Sequence, residues 1–380
     1  MSRPLRVAII AGEESGDRLG GALMEALSRE RDVTWLGVGA EDMTAAGLAP
    51  IFPLDEIAVM GFDAIVRRLP SLLARIREAA RAVVAFAPDV LVIVDAPEFN
   101  HRVARRVRRA LPGVPIVNYV SPTVWAWRPG RAKAMRAYVD LVLALFPFEP
   151  EAHRRLGGPQ CVYVGHPLYE DLRGLGGGEG DRLLVLPGSR RGEIDRLMPL
   201  FGEALAVLSP ALPVRLLAVA RHRARIEALA ASWPVTPEIL SGAAAKREAF
   251  ATARAALAAS GTVTLELASA RVPMVVAYRL DWGYRQVKRL HPILPIVKAP
   301  SMVLANIVIG KNAIPEFLEE AATPRALAGA LAPLLERASP ERAIQDAAFD
   351  DFADAMRVEG SPGQNAARAV LDLLARRGVA

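Results

Sequence analysis

Short apolar runs recur along this chain with longer helical stretches between them, and that alternation limits the fold more than any other feature. Leu5–Ala11, Val33–Val38, Val90–Val94, Ile116–Val120 and Leu141–Leu145 read as five strands. Arg18–Arg29, Ala64–Phe86 and Arg102–Ala110 read as helices between them. Strands rich in Val, Ile and Leu without a polar face suit a parallel sheet covered on both sides. The repetition predicts a doubly wound α/β unit. A glycine cluster, Gly174 to Gly180, then interrupts the pattern and reads as an interdomain linker. Beyond it the alternation restarts: strand Arg182–Leu186, helix Glu193–Leu208, strands Val214–Ala218 and Ala255–Ala258, helix Thr262–Ala270 and strand Met274–Tyr278. From Glu341 the chain reads as helical to its end, around a break at Gly360–Gly363. The expected organisation is two Rossmann-like domains, 1–170 and 171–345, with C-terminal helices over 346–380 crossing back to the first.

The 380 residues, 52 % of them hydrophobic, suffice for two cores of this kind. No uncharged apolar run approaches the roughly 18 residues of a membrane span. The apolar start reads as a first buried strand, because a signal peptide needs a longer apolar stretch and a small-residue cleavage site. The lone Cys161 excludes an internal disulfide framework and fits a reducing cytoplasm. With only five histidines besides, no zinc-ligand spacing occurs. The formal charge of +6 favours anionic partners, although arginine on solvated helix faces accounts for it equally well. Aromatic residues are scarce and no nucleic-acid-reading motif is present, so no nucleic-acid partner is expected.

Ligands of open α/β sheets lie beyond the carboxyl ends of the strands, so the strand-to-helix turns carry the chemistry. The first, Ala11 to Gly21 (AGEESGDRLGG), has glycines for close backbone approach, and Ser15 or Asp17 to cap the next helix. Its spacing is not that of a dinucleotide fingerprint, and Val38-Gly39-Ala40 stands where such a site keeps an acid. The third turn, Val94 to Asn100 (VDAPEFN), puts Asp95 at a sheet edge, either as a general base tuned by burial or as a loop brace. Glu98 is a second candidate base, or a helix first-turn acid. In the segment Tyr119 to Arg128 (YVSPTVWAWR), Trp125 and Trp127 either wall a substrate cleft or plug an interdomain gap.

In the second half Gly188, Ser189 and Arg190 form an anion-type turn between a strand and a helix. Ser260, Gly261 and Thr262 form another, with Glu266 one helical turn later, placed to grip a ribose. Together these describe a nucleotide-diphosphate-sugar site. No Asp-x-Asp pair accompanies it, so no metal is expected, and helix dipoles and arginine must neutralise the leaving diphosphate.

The motifs AGEESGD, MGF (Met60–Phe62), DAPEFN, YVSPTVWAWR, VLALFPFE (Val142–Glu149), VGHPL (Val164–Leu168), LPGSRRGEI, ASGTVTLE and PMVVAYR stand in one order from end to end. In this the chain resembles the lipid-A-disaccharide synthase family, glycosyltransferases of the GT-B type, over roughly residues 5 to 335. Ala40 departs from the glycine usual in the family's GxGG turn, and the segment Ala299–Asn306 departs from its LPN pattern. The resemblance implies two Rossmann-like domains facing across a cleft and no cofactor. It also implies inverting transfer of a diacylglucosamine unit from its UDP derivative to 2,3-diacylglucosamine 1-phosphate (lipid X), giving a β-1,6 disaccharide and UDP. Asp95 falls on the proposed catalytic carboxylate. Arg190, Ser189, Gly188, Ser260, Gly261, Thr262, Glu266 and Asn306 are then the expected UDP-sugar residues. Ser15, Gly16, Glu98, Asn100 and Trp125 are the expected acceptor residues. Such substrates imply an enzyme on the inner face of the inner membrane, peripherally bound to anionic lipid, and leave room for a homodimer. Ile65–Arg77 and Trp282–Lys298 mix basic and bulky apolar residues as interfacial segments do, and as core-facing amphipathic helices also do. Two rivals stand beside this reading: another GT-B UDP-sugar enzyme, such as an N-acetylglucosaminyltransferase or a 2-epimerase, and a non-catalytic membrane-docking module.

Overall fold

The structure, a computed structural model, describes residues 3–57, 62–279 and 301–379, with side chains left out of the description at 62–68. Met60 and Gly61 of the MGF motif and all of Trp282–Lys298 therefore lie outside the described residues. By internal contacts the chain divides into two compact units, one of residues 1–167 with 358–380 and one of 168–357.

The first unit is built on six parallel strands: β1 (Leu5–Ala11), β2 (Val33–Val38), β3 (Val90–Val94), β4 (Ile116–Tyr119), β5 (Leu141–Ala144) and β6 (Gln160–Tyr163). Their order in the sheet is β2-β1-β3-β4-β5-β6. Strands β3, β4 and β5 are buried at every position because helices cover both faces. Helices Phe62–Phe86 and Pro97–Ala110 bury Ile76, Val83, Val103 and Val107 on one face. Helix Glu14–Glu30 covers the other and is joined there by the C-terminal helix Pro362–Arg376, which buries Ala366, Val370 and Leu374. A capping box starts that last helix: the Gln364 N–H donates to Ser361 Oγ at 3.2 Å and the Ser361 N–H to Gln364 Oε1 at 2.9 Å. Gly363 lets it close on its neighbour, since a Cβ there would stand 2.8 Å from the Ala22 carbonyl oxygen.

The second unit has β7 (Arg182–Leu186), β8 (Val214–Leu217), β9 (Glu238–Leu240), β10 (Ala253–Ala259), β11 (Met274–Tyr278) and β12 (Glu316–Leu318). Again all parallel, they lie in the order β12-β11-β10-β7-β8-β9. The helix Pro340–Met356 belongs to this unit, and the break after it at 357–361 leads to the last helix of the first.

Three strands escape sequence reading: β6, β9 and β12 are short sheet-edge strands without a fully buried residue, so they carry little apolar signal. The glycine cluster is not a free linker. The Gly177 and Gly178 N–H groups donate to the Ala270 and Ala253 carbonyls, both at 2.8 Å, and buried Arg342 donates to the Gly178 carbonyl at 2.6 Å. These glycines permit close backbone approach: a Cβ on Gly180 would lie 1.8 Å from the Thr252 carbonyl oxygen.

Candidate active site

In each sheet the chain reverses its direction of strand addition once, between β1 and β3 in the first and between β7 and β10 in the second. The crevice at such a point, beyond the carboxyl ends, is where open α/β sheets take their ligands. The turns after these four strands begin at Gly12, Asp95, Pro187 and Ser260, so the candidate residues of both halves sit at the switch points.

In the first unit Ala11 pairs with Val94, which brings the Gly12-Glu13 turn against Asp95-Ala96. A Cβ on Gly12 would stand 2.1 Å from the Ala96 Cβ, so this position admits glycine only. Asn100, fully buried, laces the edge by donating from Nδ2 to the carbonyls of Val94 and Asp95, each at 2.9 Å, and of Ile10 at 3.2 Å. The Asp95 N–H donates to the Tyr119 carbonyl at 2.9 Å. Asp95 and Ala96 both take left-handed backbone angles, φ 53° and 42°. Non-glycine residues in that region carry strain of the kind concentrated at functional sites. Burial pushes the Asp95 carboxyl above the ordinary range, and the Ala96 N–H offsets only part of this. Glu13 is raised too, by burial first and then by the charge of Asp95. The site thus contains an acid pair of which only Asp95 was legible in the sequence. The strand register, absent from the sequence, is what brings Glu13 to it.

The neighbouring charges differ. Asp17 does not cap its own helix, which begins at Glu14 with Glu13 as N-cap. It is buried, and its carboxylate accepts the N–H groups of Ala40 at 2.6 Å, Asp42 at 2.9 Å and Met43 at 3.3 Å, capping the helix Glu41–Ala45. Ala40 sits there at φ −123°, outside the left-handed region that would call for glycine. Glu98 is exposed and paired with Arg131 at 2.6 Å. Burial works to raise its carboxyl, but the hydrogen bond and charge of Arg131 outweigh it and hold Glu98 below the usual range. A base poised near neutrality needs a raised pKa, which favours Asp95 over Glu98. Ser15 is exposed, whereas Gly16 is buried with its Cα hydrogens toward the Val94 carbonyl.

In the second unit Gly188 (φ 100°) and Ser189 lead to Arg190, the N-cap of helix Arg191–Leu208. That N-terminus already holds an internal acid: Glu193 accepts from the Arg190 N–H at 3.3 Å and from its guanidinium at 3.0 Å. Arg190 is 77 % exposed, so its pair with Glu193 is worth about 1 kcal/mol or less. An Arg–phosphate contact is stronger. The guanidinium can therefore turn to a diphosphate at little cost. Arg221 also reaches this turn, donating to the Ser189 carbonyl at 3.0 Å.

At the other switch-point turn, Gly261 takes φ 137° and caps the helix Thr262–Ser269. The Ser260 hydroxyl donates to the Met302 carbonyl at 2.9 Å. Glu266 is almost buried, with the Lys246 ammonium 2.6 Å from its Oε1. Nothing in the composition of the helix Ala243–Ala251 distinguishes Lys246 as its partner. Asn306 is buried, donates to the Ile314 carbonyl at 2.9 Å and accepts the Ile314 N–H at 3.0 Å. Its second amide N–H faces Ser301 Oγ at 3.4 Å, so the side chain braces the loop 306–314.

Arg75, one of the cations expected at the membrane, is occupied within the first unit. Its Nε donates to Glu56 at 2.6 Å, it pairs with Glu78, and its guanidinium lies 5.0 Å from the Phe52 ring centre. Among the described residues no helix is long and apolar enough to cross a membrane, and no group of three or more His, Cys, Asp and Glu could hold a metal.

Two parallel Rossmann-like units, each with its candidate residues at the switch point, define a glycosyltransferase fold of the GT-B class. Solved structures agree on the fold: MurG of Acinetobacter baumannii matches with a TM-score of 0.57 at 17 % identity, over 98 % of this chain and 100 % of that one. An S. aureus MnaA–UDP co-structure matches with a TM-score of 0.62 at 12 % identity, over 99 % and 98 %. The particular family follows from sequence. The lipid-A-disaccharide synthetase family model matches residues 7–370. The lipid-A-disaccharide synthase of Nitrobacter hamburgensis is 50 % identical, over 97 % of this chain and 96 % of its own. That of Rhodospirillum centenum is 40 % identical, over 100 % and 97 %. The chain belongs to the lipid-A-disaccharide synthase family and is a glycosyltransferase.

Proposed function

We propose that this enzyme transfers the 2,3-diacylglucosaminyl group of its UDP derivative to the 6-hydroxyl of 2,3-diacylglucosamine 1-phosphate, with inversion. The observation that carries the reading is the opposite chemistry of the two switch points. The first offers acids raised by burial, and the second offers helix N-termini with arginine.

Asp95 takes the proton of the acceptor hydroxyl as its oxygen attacks the anomeric carbon. The C–O bond to UDP breaks, and the electron pair leaves with the diphosphate. Inverting glycosidases use a base carboxylate on the incoming oxygen in the same way. Glu13 sits beside Asp95 as a second acid that resists ionisation. Gly188, Ser189 and Arg190 hold the diphosphate, Ser260, Gly261 and Thr262 complete the anion site, and Glu266 holds the ribose with Lys246 fixing its carboxylate. Asn306 acts by bracing its loop. Ser15, Gly16, Glu98, Asn100 and Trp125 flank the acceptor, Gly16 and Asn100 through the backbone they shape. The step needs no metal or other cofactor, since preorganised dipoles and arginine stabilise the leaving charge.

The acylated substrates place the enzyme peripherally on anionic lipid at the inner face of the inner membrane. Product formation by purified protein from labelled UDP-sugars, acylated and non-acylated, tests the reading. Disaccharide from the acylated donor only is the expected result, and none from either would overturn it. The same protein spun with anionic vesicles should lose binding as salt rises; binding indifferent to salt counts against the membrane reading.

A further inference from the structure

Three of the motifs, YVSPTVWAWR, VLALFPFE and VGHPL, meet around one carboxylate. Glu149 opens the helix Glu149–Arg155 beyond β5 and is 2 % exposed. Its Oε2 accepts the N–H groups of Leu145 at 3.2 Å and Phe146 at 3.1 Å, and its Oε1 accepts the indole Nε1–H of Trp125 at 3.3 Å. Ser121 is among the groups that favour its ionised form. Ser121 Oγ stands 2.9 Å from His153 Nε2, while buried His153 Nδ1 has no partner. Burial keeps this imidazole neutral. The contacts therefore assign its proton to Nε2, donated to Ser121, whose own hydroxyl proton goes to the Pro122 carbonyl at 3.0 Å. A buried serine behind its own loop is no nucleophile.

Around it the aromatic rings interlock. Trp125 meets Phe148 edge-on at 5.2 Å, Phe148 stacks on Phe146 at 5.6 Å, and Phe146 meets the His166 ring at 5.3 Å. The loop they hold begins at Val120, a β-branched residue at φ 75°, directly after the Tyr119 whose carbonyl accepts the Asp95 N–H. Val120 is clamped by its own N–H on the Leu143 carbonyl at 2.9 Å and by Asn118, which donates to the Val120 carbonyl at 2.8 Å. A strained start, a buried carboxylate and an aromatic stack hold one side chain, Trp125, in the loop that follows the strand hydrogen-bonded to Asp95.

We propose that Glu149 is a positioning residue, whose carboxylate holds the Trp125 loop in the form that receives the acceptor sugar. This rests on the reading of Trp125 as an acceptor contact. Ionised, Glu149 can satisfy all its donors; protonated, it surrenders part of that capacity. Burial pushes its pKa up to about 7, and the N–H groups and Ser121 only moderate this. The titratable group that senses its charge is Cys161 on β6, whose thiol burial and the Glu149 charge push up; His153 on its own helix lies against Ser121, and His166 beyond β6 against the Phe146 ring.

The test pairs Glu149→Gln with Trp125→Phe. A glutamine can face its oxygen to the Leu145 and Phe146 N–H groups, which turns its NH2 against the Trp125 N–H; phenylalanine keeps a ring against Phe148 but has no N–H. Each should raise the acceptor KM about tenfold, the scale of one charge-assisted hydrogen bond, with kcat and donor KM within about twofold. The double variant should be no worse than either single one. In the parent, acceptor KM should rise as pH falls through about 7, and Glu149→Gln should flatten that limb. Independently of turnover, the Trp125 indole N–H resonance, identified by its loss in Trp125→Phe, should titrate near pH 7 and stop doing so in Glu149→Gln. An indole that does not titrate overturns the proposal. So does an indole that titrates while acceptor KM stays at the parent value, or a Glu149→Gln variant that shifts donor KM and kcat as much as acceptor KM. Failure to make disaccharide at all overturns the functional reading instead, and the indole titration then still decides whether Glu149 anchors the loop.

Discussion

The two sheets share one architecture and carry opposite electrostatics at their switch points. Beyond β1 and β3, burial raises half-buried Asp95 despite the Ala96 N–H, and the Asp95 charge adds to what raises the more exposed Glu13. Beyond β7 and β10, each acid has a cation: Glu193 holds Arg190 and Glu266 holds Lys246. An acid that resists ionisation is suited to accept a proton. An arginine held only by an exposed partner is suited to be taken over by an anion. The fold supplies two equivalent crevices, and in the proposed reaction the side chains at four turns decide which does acid–base work and which binds charge.

The sharpest way to break this contrast is Asp95→Asn. It should lower kcat by about 10²-fold or more, the scale of losing a general base, while calorimetric UDP affinity stays at the parent value. A folded-state pKa above the unfolded one makes an acid's contribution favourable at low pH, and that contribution is lost as pH rises through the raised value. Asp95→Asn should therefore melt no lower than the parent at pH 8. A marked fall in Tm would identify Asp95 as a loop brace, and turnover near the parent rate would move the base elsewhere.

Next in size, Glu266→Ala should raise donor KM by about tenfold and weaken UDP binding, with kcat changed less, because the ribose is held alike in ground and transition states. Steady-state kinetics showing the reverse split would erase the division of labour between the units.

Glu13→Gln should act more gently. Two adjacent carboxyls titrate as a pair, and removing one leaves Asp95 to ionise without opposition from its neighbour. The acid limb of kcat/KM should move to lower pH by up to about one unit, with a few-fold change at the optimum. Loss as deep as that of Asp95→Asn would make Glu13 the base. The smallest effect, none, is expected from strong chelation, since helix N-termini and arginine serve the diphosphate. Activity abolished by EDTA and restored by Mg²⁺ would replace that account.

The alternation of apolar runs and helical stretches determined both parallel sheets, because a strand buried on two faces leaves an unmistakable apolar run while its crossover needs a helix. It likewise marked the turns proposed to carry the chemistry, since Asp95 and Ser260 directly follow strands, Arg190 caps the next helix, and Glu266 lies one helical turn beyond Thr262. The edge strands β6, β9 and β12 left no such trace. Pairings decided by strand register or helix docking left none either. Glu13 meets Asp95 because Ala11 lies opposite Val94, Asp17 caps a helix 24 residues further on, and Lys246 reaches Glu266 from another helix. The glycine cluster shows the same limit: glycine reads alike in sequence whether it frees the chain or admits a neighbouring backbone, and only the packed sheet made it the second. Local pattern fixes elements because burial is periodic along the chain. Electrostatic partnership is not periodic, so tertiary packing alone decided which charges were paired and which were left to act.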